Sequence, residues 1–380
     1  MALDDLYGKI LSQSILVIRE QTALPALVNH ETTGDRSQGA SRGGMTEVIV
    51  PPEFATRDVV PAAVPPASAA APAPTTVQVP LNYWKEVNFP LTEKHITLLE
   101  NADQQTPMFL ANAVSPIVEE ITDSIAANYT GIYGAVGAAG TTPFGSTPTV
   151  AQQAKTLLTK QKCPKFMRRM ALNTGAYGNA IALDAFRNVN QSGSTETLRE
   201  GEVSRAYGFD WFEDAGMDDI SHTTGGGSGW LVNQGDHAAG DTTVTIDTGS
   251  GDPAAGDIFT VAGDSQQYVV VSYAANVITY APAAKTAFAD NAAITFVADH
   301  SVSLAFHPYA FAFDSRPAAR LNLQGVTSNF MTWVDDMTGV VLRLEIRDEY
   351  HQTGFYLSCL WGAVLVDPRL AVRVMGQVGE

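Results

Sequence analysis

Few residue patterns in this chain could carry catalytic chemistry. Its seven histidines form no HxxxH or HExxH pair, the spacing that places two zinc ligands on one helix face. The stretch Gly226-Gly227-Ser228-Gly229 is not a nucleophile elbow, because Trp230 stands where the GxSxG pattern needs its last glycine. Cys163 would need a lowered pKa to act as a nucleophile, and only Lys162 and Lys165 lie near it as groups that lower it. We therefore expect no catalytic residues.

The sequence patterns of nucleotide and metal sites are missing as well. The chain contains no GxxxxGK[ST] phosphate loop. The aspartates between residues 236 and 257 do not follow the spacing of a calcium loop, so we interpret them as turn residues on an acidic surface. Four glycines recur at every third position: Gly131, Gly134, Gly137 and Gly140. They do not match GxGxxG, the fingerprint of a dinucleotide-binding site, and they follow a predicted helix where that fingerprint needs a strand. The sequence thus predicts no cofactor, no metal ion and no enzymatic activity.

The charge of the chain disfavours several classes of partner. Among 380 residues, 40 Asp and Glu oppose 23 Lys and Arg, which gives a formal net charge of −17. Basic residues cluster only at Arg168-Arg169, so neither nucleic acid nor an anionic membrane face is a fitting partner.

Two cysteines cannot form a disulfide framework. The acidic N-terminus and the lack of an apolar run of ~18 residues lead us to expect a soluble protein made in the cytoplasm.

Hydrophobic periodicity predicts several helices. Apolar residues recur at intervals of three and four over residues 104–130, which indicates a long helix that Pro116 should kink or split. Shorter helices are expected at 150–162 and at 174–188, the latter capped by Asn173. Residues 3–28 resemble an amphipathic helix with an extended tail, which Pro25 ends, and the polar stretch that follows holds no core.

Residues 61–74 (PAAVPPASAAAPAP) are low-complexity Ala/Pro sequence that cannot join a sheet interior, because proline lacks a backbone donor. One interpretation is a disordered linker, and the other is the tip of a long exposed hairpin. Strand-like sequence on both sides favours the hairpin, with strands expected at residues 46–50 before it and at 76–80 and 84–89 after it.

Composition changes sharply near residue 226. From Gly226 to His300 the chain has one lysine and no Arg, Glu or Met. Short β-rich runs separated by turn residues indicate a small sandwich or barrel inserted into a larger α+β domain. After the insertion we expect a strand at 303–306 and a hairpin of 340–350 with 353–365, which turns at Gln352-Thr353-Gly354. The five predicted strands of the insertion are 242–246, 257–261, 268–273, 277–280 and 293–297.

Four stretches, taken in order, resemble a known family. They are residues 43–52 (GGMTEVIVPP), 83–92 (YWKEVNFPLT), 206–214 with 221–225 (AYGFDWFED and SHTTG), and 362–374 (GAVLVDPRLAVRV). In this order they are similar to the major capsid (coat) proteins of tailed bacteriophages with the HK97-like fold. The likeness is greatest to the short-tailed-phage group that carries a β-barrel insertion domain. The similar order and spacing extend over nearly the whole chain.

The resemblance implies an α+β, HK97-like division of the chain into five parts. These are an N-terminal arm at 1–44, an extended loop at 45–92, a peripheral domain with a spine helix at 93–164 and 336–366, an axial domain at 165–225, 300–335 and 367–380, and an inserted β-barrel domain at 226–299. The Ala/Pro tip departs from the general pattern of the family, and its length would change how the loop reaches a neighbouring subunit.

The function implied by the resemblance is that of a shell protein. Its copies would self-assemble into the hexamers and pentamers of an icosahedral procapsid and virion capsid in the host cytoplasm. This shell would enclose the double-stranded DNA genome of a tailed phage without sequence-specific binding or contact with a membrane. The implied partners are other copies of the chain, a scaffolding protein and a portal, with a decoration protein as a further one.

Three alternative readings are disfavoured by particular features. The Ala/Pro tip and the insertion argue against an encapsulin-like compartment of cellular origin. The missing catalytic pattern argues against a two-domain hydrolase with a β accessory module. The lack of a signal peptide and the long amphipathic helix argue against a secreted β-rich adhesin.

Overall fold

The computed structural model describes residues 23–32, 44–50, 56, 58–59, 61, 75–94, 102–188, 196–203, 205–233, 237–319 and 330–379. These residues mix helices with several antiparallel and mixed sheets, so the predicted α+β class is confirmed. Within the described ranges, no helix is both long and apolar enough to span a lipid bilayer.

The helices are α1 (Leu24–Leu27), α2 (Ala102–Ala126), α3 (Thr149–Lys160), α4 (Thr174–Ala182), α5 (Asp184–Arg187) and α6 (Glu196–Glu200). The first strands are β1 (Met45–Val50), β2 (Thr75–Pro80), β3 (Tyr83–Thr92), β4 (Ala135–Gly137), β5 (Arg169–Leu172), β6 (Asp210–Glu213) and β7 (Ser221–His222). Those of the inserted segment are β8 (Leu231–Val232), β9 (Thr243–Asp247), β10 (Ile258–Val261), β11 (Gln267–Ala274), β12 (Val277–Ala281) and β13 (Ile294–Phe296). The last are β14 (His300–Phe306), β15 (Phe311–Ser315), β16 (Phe330–Val334), β17 (Val341–Glu349), β18 (Gln352–Leu365) and β19 (Ala371–Gly376).

One sheet is organised around β18. β3 pairs antiparallel with one edge of β18, while β17 and then β15 pair with the other, and β16 extends the sheet beyond β17. α2 packs on the inner face of this sheet, where Trp361 donates from Nε1 to Ser124 Oγ at 2.9 Å. The buried residues alternate along β17 and β18 and meet apolar residues of α2, as half-buried strands require: Val114, Val118, Ile121, Ile125, Leu342, Leu344, Leu357 and Trp361.

The long predicted helix is confirmed, but Pro116 does not split it. α2 runs without interruption from Ala102 to Ala126 and is followed by a 3-10 turn at Ala127–Gly131. Pro116 lies on the exposed side of α2, between the buried residues Val114 and Ile117. A single proline removes one helical hydrogen bond, and the burial of the opposite face keeps the helix continuous.

The second sheet has the order β4-β19-β14-β5-β6, with β7 also paired to β14, and α3 and α4 pack against it. Asn173 caps α4 as predicted, because its side chain accepts from Ala176 N at 3.2 Å. The predicted helix 174–188 is instead divided, since the buried Leu183 is extended (ψ 132°) between α4 and α5. The glycine-rich stretch after α2 contributes the short strand β4, which pairs parallel to β19.

The inserted segment forms a closed sheet with its own core. Its described strands have the order β13-β10-β11-β12-β9-β8. Val232 N donates to Ala292 O and Ile294 N donates to Trp230 O, both at 3.0 Å, so the two outer strands meet and close the barrel. All five strands expected in this segment are confirmed within one or two residues, while the two-residue β8 escaped prediction. Its interior is rich in aromatic rings: Trp230, Phe259, Tyr268, Tyr280 and Phe288.

The strands on either side of the Ala/Pro sequence pair with each other. β1 and β2 are antiparallel, with Met45 opposite Pro80 and Val50 opposite Thr75. This pairing supports the hairpin interpretation over a linker, although residues 62–74 lie outside the described residues. Residues 3–22 of the expected N-terminal helix also lie outside them. Pro25 lies in the first turn of α1, where a missing N–H costs no hydrogen bond.

The hairpin of β17 and β18 turns earlier than predicted. Glu349 pairs with Gln352, so Tyr350 and His351 form the two-residue turn, and Gln352-Thr353-Gly354 already belongs to β18. His351 adopts a positive φ of 54°, which this tight turn requires. Pairing of β18 with β3 from Gln352 onward holds these three residues in the strand.

Gly362 gives a first test of how the β1–β2 hairpin joins the body. A Cβ at Gly362 would lie 2.1 Å from Pro80 O at the end of β2, whereas a Cβ at Gly178 in α4 would meet no atom within 4 Å. We expect Gly362→Ala to lower the free energy of unfolding by about 1–3 kcal/mol, because the hairpin base must shift. Gly178→Ala should leave stability unchanged or raise it by up to about 1 kcal/mol. Denaturant unfolding of both variants is the measurement, and equal stabilities would contradict the close approach.

Candidate functional site

The residues weighed for chemistry are not brought together. Cys163 and Cys359 are both buried, and burial raises the pKa of each thiol, that of Cys359 to about 12. Ser228 lies at an isolated bridge with Ser250, where its backbone is bonded in both directions. No group of three His, Cys, Asp or Glu side chains in the described ranges could hold a metal ion.

The aspartates of the insertion act locally. Asp241 accepts from Ala238 N at 2.7 Å, and Asp247 accepts from the Thr248 hydroxyl at 2.9 Å. Asp264 accepts from the Tyr268 hydroxyl at 2.6 Å and from Gln266 N at 2.9 Å. Such contacts are typical of turn residues, and they do not converge on a point where a cation could be held.

A polar cluster does form where the insertion joins the host sheet. β7 and β14 pair so that His222 lies opposite His300, at the two points where the chain leaves and re-enters the host. His222 Nε2 lies 2.7 Å from Asp257 Oδ1, and its Nδ1 lies 3.1 Å from the Tyr129 hydroxyl. Asp257 is fully buried, and its second oxygen accepts from Gly225 N and Ala254 N. We call this cluster, with Arg373, the junction.

Arg373 is the buried cation of the junction. Its Nη1 donates to Gly256 O at 2.8 Å, its Nη2 donates to Thr130 O at 3.3 Å, and its guanidinium carbon lies 5.0 Å from the centre of the Tyr129 ring. Burial lowers the pKa of Arg373 to about 9, opposed by Tyr129 and Asp257, so it stays charged at neutral pH. A fully buried charge needs such partners, and Gly256 of the insertion supplies one of them.

His300 is held neutral beside this cation. Burial lowers the pKa of His300 to about 4, the hydrogen bond to Ala298 O opposes this shift, and the charge of Arg373 acts in the same direction as burial. Its Nδ1 lies 2.8 Å from Ala298 O, which fits a neutral ring that donates from Nδ1. The sequence did not single out either His222 or His300. The available signal was that both flank the change in composition that marks the insertion.

The segment 23–32 is fastened to the host domain at both ends of α1. The buried Asp214 accepts from Ala23 N at 3.2 Å and from Leu24 N at 2.8 Å, while Arg169 donates to Leu27 O. These contacts satisfy backbone groups that a short helix leaves free. Burial raises the pKa of the Asp214 carboxyl, against the lowering effect of the backbone N–H groups that it accepts from. Residues 23–32 are therefore anchored on the same domain that carries the junction.

Two surfaces of the molecule are left uncovered. β3 pairs only with β18 among the described strands, so one edge of a ten-residue strand is open, and Trp84 on it is 67% exposed. The β1–β2 hairpin packs at its base through Val48 and Val79, but its distal half is exposed, with Ile49 58% accessible. Open strand edges and projecting apolar side chains are features that a second chain can cover.

The junction predicts a pH dependence of stability. The folded pKa of His300 is about 4 and the ordinary value is 6.5, so only the unfolded state takes up this proton between these values. Stability is therefore fully present above pH 6.5 and is lost as the pH falls toward 4, by at most about 3 kcal/mol. We expect His300→Gln to flatten this part of the stability profile, measured by urea unfolding at several pH values.

The control for this experiment is His351→Gln, because the side chain of His351 is 62% exposed in the β17–β18 turn. This variant should keep the pH dependence of the unaltered chain. A profile for His300→Gln that falls as steeply as that of the control would contradict the assignment of the buried neutral imidazole.

No family model and no curated protein matches the chain. Among solved structures, one described as Mycobacterium phage Che8 is 14% identical, with 95% of this chain and 93% of that chain covered and a TM-score of 0.49. The capsid structure of cyanophage P-SCSP1u is 9% identical, with 93% and 88% covered and a TM-score of 0.49. A virus-like particle from Pyrococcus furiosus is 8% identical, with 97% and 99% covered and a TM-score of 0.41. The descriptions of these three structures name two phages and a virus-like particle, and their TM-scores to this chain lie between 0.41 and 0.49.

Proposed function

We propose that this chain is a major capsid protein whose copies self-assemble into the icosahedral shell of a tailed double-stranded DNA phage. The shell is built from hexamers and pentamers that first form a procapsid in the host cytoplasm. A scaffolding protein and a portal take part in assembly, and a decoration protein is a further partner. The chain has a structural role, and no step of the proposal needs a catalytic residue, a cofactor or a metal ion.

The observation that carries the proposal is the β1–β2 hairpin. Its base is packed on β15 and β18 through Val48, Val79 and Ala312, so its direction is fixed by the body of the subunit. Its distal half has no such cover, and 24 residues (51–74) connect Val50 to Thr75 beyond it. A fixed base with an exposed distal half suits contact with a neighbouring copy, because the distal half can bury area there that it does not bury on its own subunit.

The division of the chain into parts belongs to the same proposal. We assign the N-terminal arm to 1–44, the extended loop to 45–92, the inserted barrel to 226–299, the peripheral domain to 93–164 and 336–366, and the axial domain to 165–225, 300–335 and 367–380. The closure of the described strands β8–β13 into a separate core supports the third assignment. The packing of α2 on β17 and β18 supports the joining of the two peripheral segments.

The charge of the chain suits enclosure of DNA. A net charge of −17 disfavours tight binding of phosphate groups, so packaged DNA would not be trapped on the wall. The buried basic residues Arg168, Arg316 and Arg373 are engaged by carbonyl oxygens or by Asp314, which leaves them out of contact with a polyanion. The proposed shell therefore holds its genome by enclosure.

Assembly can be tested with one altered hairpin and a matched control. In the test variant, Asn-Gly replaces residues 51–74, which keeps the β1–β2 pair but removes its extension. In the control, Asn-Gly replaces Ala275-Asn276, a two-residue turn in which both residues have positive φ, between β11 and β12. Each chain is produced with and without the neighbouring phage genes, sized by gel filtration and imaged by electron microscopy.

We expect closed shells of uniform diameter from the unaltered chain and from the control. The shortened hairpin should give folded subunits, with an unchanged circular dichroism spectrum, and no shells. A stable monomer from the unaltered chain under every condition, including with the scaffolding protein, would overturn the proposal. Shells that close around a cellular cargo protein instead of a genome would favour a compartment shell.

A further inference from the structure

A polar cleft separates the inserted barrel from the host domain. It has a volume of about 1050 Å³. One wall is the exposed side of α3, with Gln152, Thr156 and Lys160 at intervals of four residues. The opposite wall belongs to the barrel and includes residues 264–267 and Lys285. β4, at the edge of the host sheet, forms the floor. Amide and hydroxyl side chains line both walls, together with apolar surface of similar extent.

Two lysines face this cleft from opposite walls. Lys285 is the single cation among eight aspartates in residues 226–299, and Lys160 lies in the last turn of α3. Among the ion pairs of the described residues, neither lysine takes part in one. Asp264, the acidic residue of the lining, accepts from Tyr268, Gln266 and Thr286, and the charge of Lys285 also lowers its pKa. Two lysines against one carboxylate leave the lining with a net positive charge in a chain whose net charge is −17, which suits an anionic occupant.

The floor of the cleft offers hydrogen-bonding groups of the kind that a peptide uses. Ala135 N, on β4, donates to Gln267 Oε1 at 2.8 Å, so this backbone group already has a partner in the barrel. Nearby, both polar atoms of the Gln161 side chain are shielded from solvent, and they have no hydrogen-bond partner among the described residues. Unpaired amide groups in a shielded position favour an occupant that can donate and accept hydrogen bonds.

We propose that this cleft binds an extended, acidic polypeptide segment of a partner protein. The amide-rich lining fits peptide groups, and Lys160 and Lys285 fit carboxylate side chains on the two sides of the segment. Nucleic acid is the poorer match, because a continuous phosphate backbone would need more than two cations and would meet the acidic barrel. This inference goes beyond the shell function, and its test does not require that shells form.

The test uses the full chain as subunits separated from any shells by gel filtration. A fluorescein-labelled ten-residue peptide of alternating Glu and Ser is the probe, and fluorescence anisotropy at low salt measures its binding. The same peptide with Gln in place of Glu, and a ten-nucleotide single-stranded DNA, are the comparison ligands. Two variants are compared with the unaltered chain. One combines Lys160→Gln with Lys285→Gln, and the other is Gln153→Lys, which adds a cation on the α3 wall. The matched control is Lys155→Gln with Lys165→Gln, two exposed lysines outside the lining.

We expect the acidic peptide to bind and the loss of both cleft lysines to weaken its binding about tenfold, since each partly exposed charge pair contributes modestly. Gln153→Lys should strengthen binding, and the control pair should leave it unchanged. Equal affinity for the Gln peptide, or equal losses in the cleft and control variants, would overturn the proposal. Tighter binding of the oligonucleotide than of the peptide, lost with the same two lysines, would overturn it in favour of nucleic acid.

Discussion

The pairing of β18 along both of its edges is the constraint on which the host domain depends. A fourteen-residue strand in the interior of a sheet must find partners for its backbone groups on both sides. β3 supplies them on one edge, and β17 and β15 supply them in succession on the other. Segments that are distant in sequence therefore converge on one strand, and α2 covers the face where Trp361 is buried. The close approach of Pro80 to Gly362 then fixes where the β1–β2 hairpin leaves the body.

The junction shows how a module with its own core is still tied to its host. Arg373 comes from the host strand β19, whereas Asp257 and Gly256 come from the insertion, and Arg373 and Asp257 are fully buried. The hydrogen bond from Arg373 to Gly256 O and the nearby charge of Asp257 are present only while the barrel stays docked. His300 contributes by remaining neutral beside that cation. The surface of the barrel is acidic, yet its docking contact with the host brings together two groups of opposite charge, the guanidinium of Arg373 and the carboxyl group of Asp257.

Elements with a strong local pattern could be predicted from the sequence, and elements made by tertiary pairing could not. The five barrel strands and α2 were predicted because their hydrophobic periodicity is sustained over several residues. β4 has the composition of a loop and is a strand only because β19 pairs with it. Proline at position 116 suggested a break, which burial of the opposite helix face prevents. Two features join separate parts of the chain: the contact of His222 with Asp257 and the cleft between Lys160 and Lys285. Neither could be predicted, because a local sequence pattern does not report which distant segments meet.

The pairing of His222 with His300 places the two ends of the insertion on adjacent strands, about 5 Å apart. In the host sheet, the whole 226–299 segment therefore takes the place of a loop between the paired strands β7 and β14. Such a position is a natural splice point for genetic fusion, since a foreign domain with closely spaced termini can be carried there without stretching β7 or β14. The guest must replace two groups of the junction: the carbonyl oxygen of Gly256, which accepts from the guanidinium of Arg373, and the carboxyl group of Asp257, which contacts His222.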